Sequence, residues 1–194
     1  MRKREEVKVY FDEIETVYTR GVKRWKYIYS WLDAVALAIV IALVFSALCF
    51  RSVSVNDYSM KPTLYDGDRL LVSCINMEYR RGDVVVITHP DMVNEPLIKR
   101  IIAVEGDVVD IDFADGVVKI NGDVIQESYI AAPTTKMSDV AFPVTVPEGC
   151  VFVMGDNRND SFDSRSSRLG FADTRYLLGK AQCRFYPFGE WKID

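Results

Sequence analysis

A single histidine narrows the chemistry open to this chain. His89 stands at the end of an apolar run directly before Pro90, which biases it toward extended backbone, and it reads as a strand-end residue with no chemical role. A Ser/His/Asp hydrolase would have to use it. A zinc site would need it beside Cys74, Cys150 and Cys183, and these show no Cys-x-x-Cys clustering, so no metal is expected. There is no phosphate-cradling glycine loop and no dinucleotide fingerprint, and the chain is expected to work without a cofactor.

Three segments remain. Ser59-Met60-Lys61-Pro62-Thr63-Leu64 offers a hydroxyl, and Leu97-Ile98-Lys99-Arg100-Ile101-Ile102 offers an amine in an odd setting. Taken alone, a Ser before a Met carries no information, and a Lys on a strand is ordinarily solvated. Alternation along the strand, however, puts Lys99 on the same face as Leu97 and Ile101, where it is partly desolvated. Desolvation penalises the ammonium form: a buried lysine falls from about 10.4 toward about 7 to 8, where it accepts a proton near physiological pH. A neutral lysine beside a serine hydroxyl is a base and nucleophile that needs no histidine. The third segment, Gly-Asp-Asn-Arg-Asn-Asp-Ser-Phe-Asp-Ser-Arg at 155 to 165, follows an apolar strand and carries more hydrogen-bonding groups than a turn requires.

Positioning these groups falls to elements that segregate along the chain. The length of 194 residues suits one main domain with a small appendage. At 49% hydrophobic and 27% charged residues, disordered and low-complexity classes are excluded. Leu32 to Phe50 carries one charge, Asp33, and as a helix would be about 28 Å long, enough to cross a bilayer core. A core helix would keep a polar stripe, and Ala34 to Ala47 has none apart from Ser46. A cleavable signal peptide would place its apolar region nearer the N-terminus, so an uncleaved anchor at 32–50 is expected. Lys23, Arg24 and Lys26, with Trp25, Tyr27, Tyr29 and Trp31 as an interfacial belt, predict a cytoplasmic N-terminus and an exterior remainder. Ahead of the anchor, Val7, Phe11, Ile14 and Tyr18 at helical spacing predict an amphipathic cytoplasmic helix within residues 1–31, stopping at Gly21.

Residues 51 to 194 hold 16 Lys/Arg against 22 Asp/Glu, a net of −6, so no nucleic-acid partner is expected. Their texture is that of short strands: Arg69 to Ser73, Asp83 to Thr88, Leu97 to Val104, Asp107 to Ile111, Val151 to Met154 and Ala181 to Phe185. Val117 to Ile120, Asn121-Gly122 and Asp123 to Ile125 predict a hairpin whose two turn residues accept positive φ. Pro133, Pro143 and Pro147 discourage central strands. The expected fold is mainly β, a catalytic domain formed by 51–107 and 148–194 with a small inserted subdomain at 108–147.

The three segments, with Arg-Gly-Asp-Val-Val-Val at 81 to 86 and Gly106-Asp107, together resemble the bacterial type I signal peptidases, membrane-anchored serine endopeptidases with a Ser/Lys dyad. Each piece is weak, but four in this order behind one anchor are specific. The resemblance implies a signal-peptidase-like β catalytic domain in which Ser59 attacks the scissile carbonyl and Lys99 acts as general base. It further implies that Ser161 orients the Lys99 amine, that Asp163 and Arg165 pair to hold their loop, and that the Ser59 N–H is one oxyanion donor.

The same resemblance implies cleavage after a small-x-small pattern, with Val55, Asp57, Met60, Leu64, Leu97 and Ile98 as the substrate-binding positions. The implied partners are secretory preproteins, at the cleavage region of their signal peptides, and membrane lipids met by Phe185-Tyr186-Pro187-Phe188 and Trp191. The implied location is the bacterial plasma membrane. One departure stands out: relatives carry Ser or Gly two residues before the nucleophile, and this chain has Asp57. A carboxylate there cannot donate and opposes developing negative charge, so either Asp57 points away or turnover is modest.

Eukaryotic-type signal peptidases put His where this chain has Lys99, and self-cleaving repressor-type proteins would need a DNA-binding domain in place of the anchor. From another class, an inactive membrane-anchored β module that binds secreted proteins or assists surface assembly is the alternative. Asp57 favours it; the joint presence of Ser59, Lys99, Ser161, Asp163 and Arg165 opposes it.

Overall fold

The computed structural model describes residues 2–75, 78–88, 96–189, 191 and 193, with side chains from Trp25 onward. His89 lies outside the described residues. The chain divides into two compact units, Met1–Ala47 and Leu48–Asp194.

The first unit is helical. Helix α1 runs from Arg2 to Cys49 without a break, so Gly21 does not stop it; an internal glycine costs only about 1 kcal/mol against alanine, too little to end a helix with good formers on both sides. Trp25–Cys49 is long and apolar enough to cross a membrane by length and composition, and Leu37, Ile41, Leu43 and Phe45 along it are exposed. An apolar N-terminal helix of this kind fits a membrane-anchored protein. Phe50 does not belong to it: Phe50 opens the first strand and pairs with Ser73.

The second unit is β. Its strands are β1 Phe50–Ser54, β2 Arg69–Ser73, β3 Val84–Ile87, β4 Leu97–Val104, β5 Val108–Asp112, β6 Val117–Ile120, β7 Asp123–Val124, β8 Val144–Thr145, β9 Cys150–Met154, β10 Ala172–Asp173 and β11 Leu177–Tyr186. A seven-stranded sheet has the order β1-β2-β11-β3-β4-β9-β10, and a four-stranded sheet has the order β7-β6-β5-β8. Among the described residues every pairing is antiparallel, as short connections allow. Asn121 and Gly122 take φ of 55° and 92° between β6 and β7, the left-handed conformations that an Asn-Gly hairpin turn uses.

The large sheet is covered on both faces, which decides the environment of its central strands. Val84 and Val86 of β3 pack with Val55, Met60, Leu64, Leu70, Val72 and Ile98. Val85 and Ile87 face the opposite way, toward Ile101, Val153, Leu169 and Leu177. A third cluster joins Ile102, Phe152 and Met154 of the large sheet to Val109, Ile111, Val118 and Ile120 of the small one. Strand β4 lies between β3 and β9 at the centre of this arrangement, so a polar side chain on it has little water to reach.

Candidate active site

Lys99 sits on β4 opposite Val85. Leu97 packs against the cluster of Val85 and Ile101, while Ile98 belongs to the cluster on the other face, as strand alternation requires. The result is a lysine only 1% exposed. Its Nζ donates to Ser59 Oγ at 2.7 Å and to the Ile98 carbonyl at 3.0 Å. Burial drives the Lys99 ammonium below its ordinary range, and Asp57, Asp163 and Asp156 push back in the opposite sense.

Ser59 comes from the loop between β1 and β2. Val55, Met60 and Leu64, with 0%, 0% and 1% exposure, anchor that loop in the core, and Leu64 N–H to the Met60 carbonyl closes a turn around Pro62 at 2.9 Å. Three of the positions expected to bind substrate are thus buried in the core beside Ser59. Leu97 and Ile98 do border open space, a recess of about 40 Å³ shared with Asn56, Asp57 and Pro96.

The loop after β9 braces Ser59 from the other side. Asn157 N–H donates to the Ser59 carbonyl at 2.9 Å, and Asn157 Nδ2 donates to the Tyr58 carbonyl at 3.1 Å. Gly155 passes so close that a Cβ there would run into the Ser161 side chain and the Ser59 carbonyl oxygen. Arg165 grips Asp163 bidentately, Nε to Oδ1 and Nη2 to Oδ2 both at 2.8 Å, with both residues buried. Asp163 also accepts the Gly155 N–H at 3.1 Å. Ser161 Oγ is buried and makes no hydrogen bond, so the contact to the Lys99 amine implied by the resemblance is not formed in this state. A cleft of about 560 Å³, bordered by Asp57, Tyr58, Ser59, Ser161 and Phe162, opens beside Ser59.

Asp57 does not point away. Its Oδ1 accepts the Ser59 N–H at 3.1 Å and the Ser59 hydroxyl at 2.9 Å, and its Oδ2 stands 3.1 Å from Ser59 Oγ and 3.8 Å from Lys99 Nζ.

Two buried ion pairs that sequence reasoning did not pair complete the site. Arg100, beside Lys99, binds Asp156 through Nε to Oδ1 at 2.9 Å and Nη2 to Oδ2 at 2.8 Å, with exposures of 2% and 0%. Thr63 Oγ1 donates to the same Asp156 carboxylate at 2.5 Å. Arg158 binds Glu127 through Nη1 to Oε2 at 2.7 Å, Thr134 Oγ1 at 3.0 Å and the Gly155 carbonyl at 3.1 Å. Arg100, Asp156 and Arg158 lie within the segments singled out above, but nothing in their spacing names their partners. Together the arrangement supplies a held hydroxyl, a dry amine within hydrogen-bond reach of it, and an open cleft, which are the parts that nucleophilic attack on a carbonyl needs.

Comparison with known proteins gives concordant matches. The model of the family described as signal peptidase, peptidase S26, matches residues 28–186. Signal peptidase I of Bacillus licheniformis is 39% identical, covering 84% of this chain and 91% of that protein. Signal peptidase I S of Bacillus subtilis is 34% identical over 90% of this chain and 97% of its own. A probable signal peptidase I-1 of Synechocystis is 33% identical over 86% and 87%. A crystal structure of a signal peptidase I from Enterococcus faecalis V583 aligns at a TM-score of 0.46 and 29% identity, over 54% of this chain and 97% of that one.

Proposed function

The chain belongs to the signal peptidase family, peptidase S26, and is a serine endopeptidase that cleaves signal peptides from preproteins; we propose that it does so with Ser59 as nucleophile and Lys99 as general base. The observation that carries this reading is the 2.7 Å contact between Lys99 Nζ and Ser59 Oγ. In its uncharged form Lys99 takes the hydroxyl proton as Ser59 Oγ bonds to the scissile carbonyl carbon. The same proton then passes to the leaving amine as the peptide bond breaks, leaving an acyl-enzyme. Water, deprotonated by Lys99, then adds to the ester, and the Lys99 ammonium returns its proton to Ser59 Oγ as the bond to the acyl carbon breaks and the new C-terminal carboxylate leaves. The Ser59 N–H is the main-chain donor for the oxyanion of both tetrahedral intermediates.

Support for cleavage after small residues comes from the 40 Å³ recess beside Leu97 and Ile98, which admits a small side chain and excludes a large one by clash. Asp163 and Arg165, with Ser161, are supporting residues that keep the 155–165 loop against Lys99. We place the N-terminus in the cytoplasm and the β unit outside the bacterial plasma membrane, on the strength of the Lys23, Arg24 and Lys26 cluster ahead of the span. Residues 51–107 and 148–194 form the catalytic domain, 108–147 an inserted subdomain, and Phe185 to Phe188 with Trp191 meet lipid.

The test is cleavage of a preprotein by the detergent-solubilised full chain. Ser59→Ala and Lys99→Ala should each abolish processing while remaining folded by circular dichroism. Unchanged processing by either variant refutes the dyad.

A further inference from the structure

Asp57 has no part in the reaction as described, yet it holds both groups that Ser59 must bring to it. An ionised carboxylate only accepts hydrogen bonds. The single proton of the Ser59 hydroxyl is therefore directed at Asp57 Oδ1, 2.9 Å away, and Lys99 Nζ donates to the oxygen in place of accepting from it. The Ser59 N–H, which the scissile carbonyl oxygen needs, is likewise engaged by Asp57 at 3.1 Å.

We propose, resting on the Ser59/Lys99 reading, that Asp57 is a gate on the dyad: its carboxylate holds the nucleophile in the empty enzyme, and the scissile carbonyl displaces it into the cleft. Two features of the site carry this. The Asp57 side chain is 48% exposed and borders the 560 Å³ cleft, so it has room to rotate, whereas the Lys99 side chain is 1% exposed and fixed in the sheet. Moreover, the other carboxylates that act on Lys99 already have cations of their own. Asp163 is clamped by Arg165 and Asp156 by Arg100, each through two nitrogen–oxygen contacts. The cation that faces Asp57 is Lys99 itself, at 3.8 Å.

Displacement thus takes away, of the three carboxylates acting on Lys99 among the described residues, the one that no guanidinium clamps. The amine is left with Ser59 Oγ and the Ile98 carbonyl. In that setting the ammonium gives its proton to solvent, and its freed lone pair faces the Ser59 hydroxyl, whose proton is no longer held by Asp57. Arrival of substrate clears the oxyanion donor and produces the base in one movement. Burial already lowers Lys99, and Asp57 is the first of the groups opposing that shift. Asp57 is in this sense a positioning residue, and the empty enzyme rests in an ion-paired, unreactive form.

The experiment compares kcat/KM for preprotein cleavage from about pH 6 to about pH 10 for the full-length enzyme, Asp57→Asn and Asp57→Gly. Asn keeps the shape and removes the charge; Gly removes the side chain. Both should raise kcat/KM several-fold at neutral pH and move the rising limb of the profile down by roughly one pH unit, the lower end of the effect of a neighbouring opposite charge. A limb that stays in place in both variants, or a kcat/KM equal to or below wild type in both, overturns the gate. Ser59→Ala, assayed alongside, separates the two readings: residual cleavage by that variant would overturn the dyad itself.

Discussion

Arg100 and Asp156 meet in a buried bidentate pair at 2.9 and 2.8 Å, and their chain neighbours are Lys99 and Gly155. The pair therefore fixes the strand that carries Lys99 against the loop that carries Ser161 and Asp163, and Thr63 ties the Ser59 loop to the same carboxylate. Removing one partner of a buried pair leaves an uncompensated charge, which costs about 3–5 kcal/mol. Arg100→Met and Asp156→Leu should each lower urea-unfolding stability by that order, and the double variant should recover part of the loss. Single variants as stable as wild type would show that the pair holds nothing.

Gly155 should tolerate no side chain. Its φ is not in the left-handed region, so alanine meets a steric obstacle alone, from Ser161 and the Ser59 carbonyl. Misplacing a reacting group by about 1 Å can cost on the order of 100-fold in rate. Gly155→Ala should therefore lose at least about tenfold in kcat while remaining folded by circular dichroism; wild-type kcat would mean that the loop relaxes away from Ser59.

Lys99 should make stability depend on pH with a particular sign. Its folded pKa lies below its unfolded value, so between the two the unfolded chain binds more protons and stability rises with pH. The penalty is complete below the folded pKa and is relieved as pH climbs toward the ordinary lysine range. Lys99→Met lacks this dependence. Its advantage in melting temperature over wild type should be largest near neutral pH and shrink toward about pH 10, and a difference that does not vary with pH would contradict a desolvated amine.

Much of this was legible in the sequence for identifiable reasons. Two-residue alternation around Lys99 pointed to an amine on an apolar face, and Asn121-Gly122 marked a hairpin that the structure turns at φ of 55° and 92°. Other features were out of reach because their causes are not local. Strands β8 and β10 have two residues each and exist through their partners, not through any pattern of their own. Glu127 and Thr134 stand in an irregular stretch, and only folding shows that they surround Arg158. Val55, Met60 and Leu64 were implied as substrate-binding positions by the resemblance, and their burial in the core is a property that apolar residues next to Ser59 do not announce in sequence. Gly21 resembled a helix stop, but its cost is small beside the propensity of its neighbours.

The neutral form of one amine can be watched directly. With 13C-labelled lysine in the full-length Ser59→Ala variant, the Lys99 ε-carbon signal, assigned by its loss in Ser59→Ala/Lys99→Met, should titrate well below the range of the other lysines. A Lys99 signal that titrates together with the solvated lysines would contradict an ammonium disfavoured by burial.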